Sequence, residues 1–213
     1  MIYIKKGSAP GLFIQYTKIR GARFDDMPTK TKDELRTSLL KEQGYLCAYC
    51  MKRLKDSHKE VKIEHYEPRN NDNELDYKNL LAVCYGGEGA KPEFQTCDTK
   101  KGNNDGIEIN PQNQQQMARI SYRNDGLICI DDEKLQSDLD LVLNLNMEQL
   151  KAVRKAALEA LQANVIKKFG KKSLSKEYWE KQLSKYQTKD NGKLQGYCGI
   201  LIWYLKKKVR QHS

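Results

Sequence analysis

Lys62-Ile63-Glu64-His65-Tyr66-Glu67-Pro68-Arg69 sets a carboxylate and an imidazole side by side and then closes the segment with a proline. Residues 61–63 read as a short strand leading into that pair. Residues 80–83, Leu-Leu-Ala-Val, read as its partner across the polar loop of residues 69–78. Elsewhere between residues 45 and 102 regular periodicity nearly vanishes. Two short strands with little core cannot hold their own loops, because the apolar surface they bury is small against the entropy of ordering them.

Cysteines supply the missing staple. Cys47 and Cys50 form a close C-x-x-C knuckle upstream of the Glu-His pair, and Cys84 and Cys97 lie downstream, separated by a stretched loop containing Gly86, Gly87 and Gly89. Four thiolates in two arms suit a structural tetrahedral zinc ion, which would fix both ends of the module. Cys129 in an expected strand and Cys198 in an expected helix read as ordinary buried cysteines.

Working outward, Ile2 and Ile4 alternate with Tyr3 and Lys5 as a short strand does, and Ala9-Pro10-Gly11 breaks the chain before a weakly amphipathic run over residues 12–19. This arm is expected to be ordered only by docking. Thr31-Lys32-Asp33-Glu34 has the form of a capping box, with Leu35, Leu39 and Leu40 as the buried stripe of the helix that follows and Gly44 as its terminator. Asn124-Asp125-Gly126 is a turn between strands over residues 118–122 and 127–130. Asn146, with Gln149 after it, is placed to cap a helix whose buried face is Leu150, Val153, Ala157, Leu161 and Val165, ending at Gly170. A second helix starting after Ser173 or Ser175 is expected to bury Trp179 and Leu183, and a third runs from about Tyr197. The expected fold class is α+β, in four stretches: an N-terminal arm and helix (1–44), the cysteine-stapled module (45–110), a β-hairpin connector (111–145) and a basic helical lobe (146–213).

Composition bounds the possibilities. The chain of 213 residues is 31% charged with a mean hydropathy of −0.81, and it contains no apolar run long enough to span a membrane and no apolar leader, so the expected compartment is the cytoplasm. There, six cysteines point to metal rather than to disulfides. The net charge of +10 is unevenly spread: residues 151–213 hold 16 Lys+Arg against 4 Asp+Glu, leaving 22 and 24 for residues 1–150. The basic half suits a polyanion, while the half carrying the chemistry is near neutral.

The order Cys47-x-x-Cys50, Glu64-His65 with Pro68, Asn79-Leu80-Leu81-Ala82-Val83-Cys84 and Cys97-Asp98-x-x-Lys101-Gly102 resembles the HNH endonucleases with a zinc-stapled ββα-metal fold. The likeness extends to the HNH subunit of Septu-type and retron-associated anti-phage systems through the opening residues 1–7 with Pro10, the hairpin and Leu143-Asn144-Leu145-Asn146. The resemblance implies that His65 is the general base, Glu64 and Asp98 ligate one catalytic Mg²⁺ or Mn²⁺, Asn79 holds the loop that orients His65, and Lys100 or Lys101 contacts substrate phosphate. It also implies a nucleic-acid substrate, with DNA favoured, an ABC/SMC-like ATPase partner, and a retron reverse transcriptase with its RNA/DNA in the linked systems. Glu64 stands where many members carry Asp or His, and Asp98 where Asn or His is common. An RNase acting on tRNA with the same fold, and a non-catalytic zinc module that binds nucleic acid or bridges proteins, remain as alternatives.

Overall fold

The computed structural model describes residues 1–102, 106–170 and 172–212. Among the described residues, two small antiparallel sheets are embedded among helices, an α+β arrangement. In chain order, α1 (Gly11–Thr17) and α2 (Thr29–Glu42) precede β1 (Lys62–His65) and β2 (Leu80–Val83), and α3 (Cys97–Lys101) follows. Then come α4 (Gln114–Arg119), β3 (Ser121–Tyr122), β4 (Ile128–Cys129), α5 (Glu133–Ser137) with a π-turn over Asp138–Val142, α6 (Glu148–Phe169), α7 (Lys176–Gln187) and α8 (Cys198–Gln211). Strand β1 pairs with β2 in the register Glu64↔Leu81 and His65↔Leu80, so the Glu-His pair lies inside the strand, two residues past the run the sequence indicated. All four residues of β2 are buried.

Leu35, Leu39 and Leu40 of α2 are fully enclosed, as the periodicity requires. The start of α2 differs from the capping-box expectation: the helix begins at Thr29, directly after Pro28, and no side chain caps it. Thr31 is buried in the first turn, and Glu34 instead accepts from the Leu12 amide at 2.8 Å, tying α2 to α1. Burial has overridden the local cap, and proline's fixed φ positions the first turn. Gly44 ends the helix at φ 61, and a Cβ there would lie 2.6 Å from Leu194.

The N-terminal arm forms no strand. Met1 and Ile4 are buried and the Ile4 amide donates to Pro111 O, so the apolar alternation belongs to an extended segment without a ladder. The hairpin turn stands where expected, with Gly126 at φ 90. Its strands are shorter, because residues 114–119 form α4 under an Asn113 cap.

In α6 the expected face holds at Leu161, which is buried, and at Leu150, Ala157 and Val165, which pack against the core, and it departs at Val153. Arg154, Leu158 and Leu161 are buried while Val153 is exposed. Arg154 accounts for this: its guanidinium, enclosed, donates to Gly126 O at 2.6 Å and Leu145 O at 2.8 Å, clamping the hairpin turn onto the helix. A face chosen by hydrophobicity omits an arginine that snorkels inward to carbonyls. Asn146 does not cap α6; Met147 occupies that position, and Asn146 exchanges hydrogen bonds with the backbone of Ile128. Ser175 caps α7 as anticipated, with Trp179 buried. Ile200, Leu201 and Leu205 of α8 join the same contiguous core as α2 and β2.

Candidate metal centre and active site

The knuckle residues Cys47 and Cys50 follow α2 in a tight turn whose flanks, Tyr45 and Met51, take positive φ, and the Met51 amide closes it on Cys47 O. Cys84 directly follows β2 and Cys97 opens α3. All four are buried, and their sulfurs lie within 4.8 Å of one another. Sulfur separations are 3.8 Å for Cys47–Cys97, 3.7 Å for Cys50–Cys84 and 3.7 Å for Cys84–Cys97. A zinc tetrahedron with Zn–S of ~2.3 Å demands S–S of about 3.8 Å, so the donor set fits that ion. Mutual thiol hydrogen bonding, with Cys47 foremost, pushes Cys50 and Cys97 up and Cys84 down, as expected of crowded sulfurs that cannot all be anionic without a cation. Cys198 is buried apart from this cluster, and Cys129 is half-buried.

The same turns place the Glu-His pair. Antiparallel pairing of β1 with β2 and the start of α3 at Cys97 bring Glu64, His65, Asp98 and Lys101 to one cleft of about 470 Å³, which Pro68, Arg69, Ile63 and Gly102 complete. Glu64 is buried. Its Oε1 accepts from Lys101 Nζ at 2.5 Å and from Tyr49 OH at 3.3 Å. Tyr49 sits between the two knuckle cysteines and thus ties the zinc turn to the cleft. Burial, and then the neighbouring Asp98 carboxyl, push Glu64 from 4.5 up to about 8 despite Lys101. Glu64 and Asp98 bring hard carboxylate oxygens to one cleft, a donor type that suits a divalent cation of the Mg²⁺ or Mn²⁺ kind. Asp98 is partly exposed, with Lys62 Nζ 3.6 Å from its Oδ2.

His65 Nε2 lies 2.9 Å from Glu74 O. A carbonyl can only accept, so Nε2 carries the hydrogen; burial depresses the pKa, and the neutral ring keeps its lone pair on Nδ1. Asn79, buried, accepts from Glu67 N at 2.7 Å and donates to Glu67 O at 3.2 Å, while its own carbonyl takes the Tyr66 amide, so it pins the loop immediately after His65. Lys100 is partly exposed, reaching Pro92 O at 3.2 Å. Lys101 is 2% exposed, and its ammonium is spent on Glu64, His65 O and Tyr66 O, so it braces the cleft from within and offers no free face to a phosphate.

Sequence reasoning missed Tyr49, Phe24 and Glu74. Phe24 packs edge-on against the His65 ring, with centroids 4.6 Å apart, and the Glu74 carboxylate is buried against Arg23. Only Tyr49 carried any signal, through its place inside C-x-x-C.

The fold and the site together define an α+β protein with a four-cysteine cluster that fits a zinc ion and a carboxylate and histidine cleft beside it. Among curated proteins, one of Escherichia coli named as an HNH endonuclease of retron Ec83 is 34% identical over 79 residues. That match covers 32% of this chain and 31% of the relative, and it supports an HNH-type nuclease. No protein-family profile matches the chain. Among the described residues no helix is long and apolar enough to cross a membrane.

Proposed function

We propose that this chain is a metal-dependent HNH endonuclease of the ββα-metal type, β1, β2 and α3 being the ββα unit, that hydrolyses phosphodiester bonds, DNA being the favoured substrate, as the effector of an anti-phage system. The observation that carries the reading is the meeting, in one cleft, of a neutral histidine with its lone pair on Nδ1 and the two carboxyls of Glu64 and Asp98. In this role His65 Nδ1 takes the proton from the attacking water, a P–O bond forms and the bond to the 3′ oxygen breaks. Glu64 and Asp98 would hold the divalent cation, which when bound supplies Lewis acidity to the phosphate and charge for the leaving oxygen. Asn79 keeps the loop after His65 in place, and Lys100 faces the polyanion. The basic residues 151–213 compensate for the near-neutral half that contains the cleft. The ATPase partner of ABC/SMC-like type and the retron reverse transcriptase rest on the family resemblance, and the relative's name places that protein in a retron.

Incubating the zinc-loaded chain and His65→Ala with Mg²⁺ or Mn²⁺ on supercoiled plasmid and on total tRNA tests the activity and separates DNA from RNA. A His65→Ala protein as nucleolytic as wild type would reject the catalytic assignment. Failure of either protein to cut either substrate, alone or with its co-expressed ATPase, would favour the non-catalytic zinc module.

A further inference from the structure

Three consecutive residues of the N-terminal arm, lying outside the cysteine-stapled stretch, each grip a different residue around the cleft. Arg23 Nε pairs with Glu74 Oε1 at 2.5 Å, the Phe24 ring meets His65 edge-on at an interplanar angle of 77°, and Asp25 Oδ1 accepts from Arg69 at 2.7 Å. The backbone of this strap is held by both flanking helices: Tyr16 OH of α1 donates to Arg23 O at 2.7 Å, and Lys32 Nζ of α2 donates to Asp25 O at 2.9 Å. Glu74 joins the two halves. Its buried carboxylate accepts from the Phe24 amide at 3.2 Å, and its carbonyl accepts from His65 Nε2.

One hydrogen bond at Nε2 leaves the imidazole free to swing about the N–H···O axis. The T-shaped contact with Phe24 removes that freedom, because ring pairs hold a preferred edge-to-face geometry. We propose that Phe24, set by Arg23 and Asp25 on either side, is a positioning residue for His65, and that the Arg23-Phe24-Asp25 strap fixes the orientation of the imidazole in the cleft. The inference rests on the catalytic reading of His65. Through the strap, the nuclease site depends on α1 and α2, so an element that pulled the arm away would misalign the base without touching the cleft.

The test uses the full zinc-loaded chain. Phe24→Ala is expected to lower kcat on plasmid by ~10-fold to 100-fold, the scale of a small misplacement of a reacting group, with KM within about twofold. Phe24→Tyr, which keeps the ring, is expected to restore most of the loss. In the NMR spectrum Phe24→Ala should shift the His65 ring resonances, whose ring-current neighbour is gone, and leave those of His58 and His212 in place. Wild-type kcat in a folded Phe24→Ala protein, with His65→Ala inactive, would overturn the strap and leave the catalytic reading standing. Full activity in His65→Ala would remove that reading, and the strap's purpose with it. A loss in Phe24→Ala that Phe24→Tyr does not recover, with unmoved His65 resonances, would reduce Phe24 to packing and overturn the proposal.

Discussion

Lys101 and Glu64 form an enclosed ion pair: Nζ lies 2.5 Å from Oε1, with side-chain exposures of 3% and 7%. The ammonium has three donors and the structure uses all of them, the other two going to His65 O and Tyr66 O. Lys101 therefore bolts α3 to the end of β1. Lys101→Met leaves a buried carboxyl without its cation and two carbonyls without a donor, and should cost about 3–5 kcal/mol in urea unfolding of the zinc-saturated chain above about pH 8, where Glu64 is ionised. Adding Glu64→Gln should recover part of that loss, since the residues are in contact. Strict additivity of the two changes would show that the pair is not coupled.

The rise of Glu64 from 4.5 to about 8 makes folding proton-linked. The folded chain binds the proton more tightly than the unfolded one, so the contribution is complete below about pH 4.5 and is lost as pH rises through about 8. Without added divalent cation, stability should fall across this window by on the order of 1 kcal/mol or more relative to Glu64→Gln, and the cysteines should cancel in the comparison. Millimolar Mg²⁺ or Mn²⁺ should flatten the slope by taking the proton's place at Glu64. Parallel curves for wild type and Glu64→Gln would place the linkage elsewhere.

His65 titrates below its ordinary 6.5, because burial disfavours the charged ring more than the Glu74 carbonyl favours it. A depressed histidine stays neutral and basic as pH falls past the usual value. At saturating Mg²⁺ or Mn²⁺, which takes the proton's place at Glu64, the acid limb of kcat/KM should accordingly lie below pH 6.5, with activity at pH 6.5 still more than half of the plateau. A limb centred above 6.5 would mean that another group controls it.

The cleft was largely legible because its chemistry is local in sequence: the C-x-x-C spacing, the Glu-His pair before a proline, and Asp98 next to Cys97 each announce a residue type at a fixed offset. What remained hidden depends on distant contacts. Lys101 has the composition of a surface lysine, and only the fold turns it inward to Glu64. Phe24 and Glu74 lie 50 residues apart with no shared pattern, yet they meet at His65. Helices were legible where apolar spacing governs burial, as with Leu35, Leu39 and Leu40. They were misjudged where a polar group does: Arg154 is buried in α6 where Val153 was expected to be, and Asn146 braces β4 when its residue type suggests a cap.

The sulfur geometry sets a last expectation. Cys50 and Cys97 are held up and Cys84 down, so the apo cluster retains protons that a zinc ion must displace. Zinc binding should release protons, and purified folded chain should contain one zinc per molecule by elemental analysis. Structural zinc sites contribute ~10–16 kcal/mol of apparent binding energy, comparable to the whole stability of a domain, so a strong chelator should unfold the chain. Cys97→Ser should be especially damaging to activity. Cys97 opens α3 at φ 56, and its amide is bonded to Leu143 O, so its displacement carries Asp98 and Lys101 away from Glu64. Folded, active protein with well under one zinc per chain would show that these four sulfurs are held by packing alone.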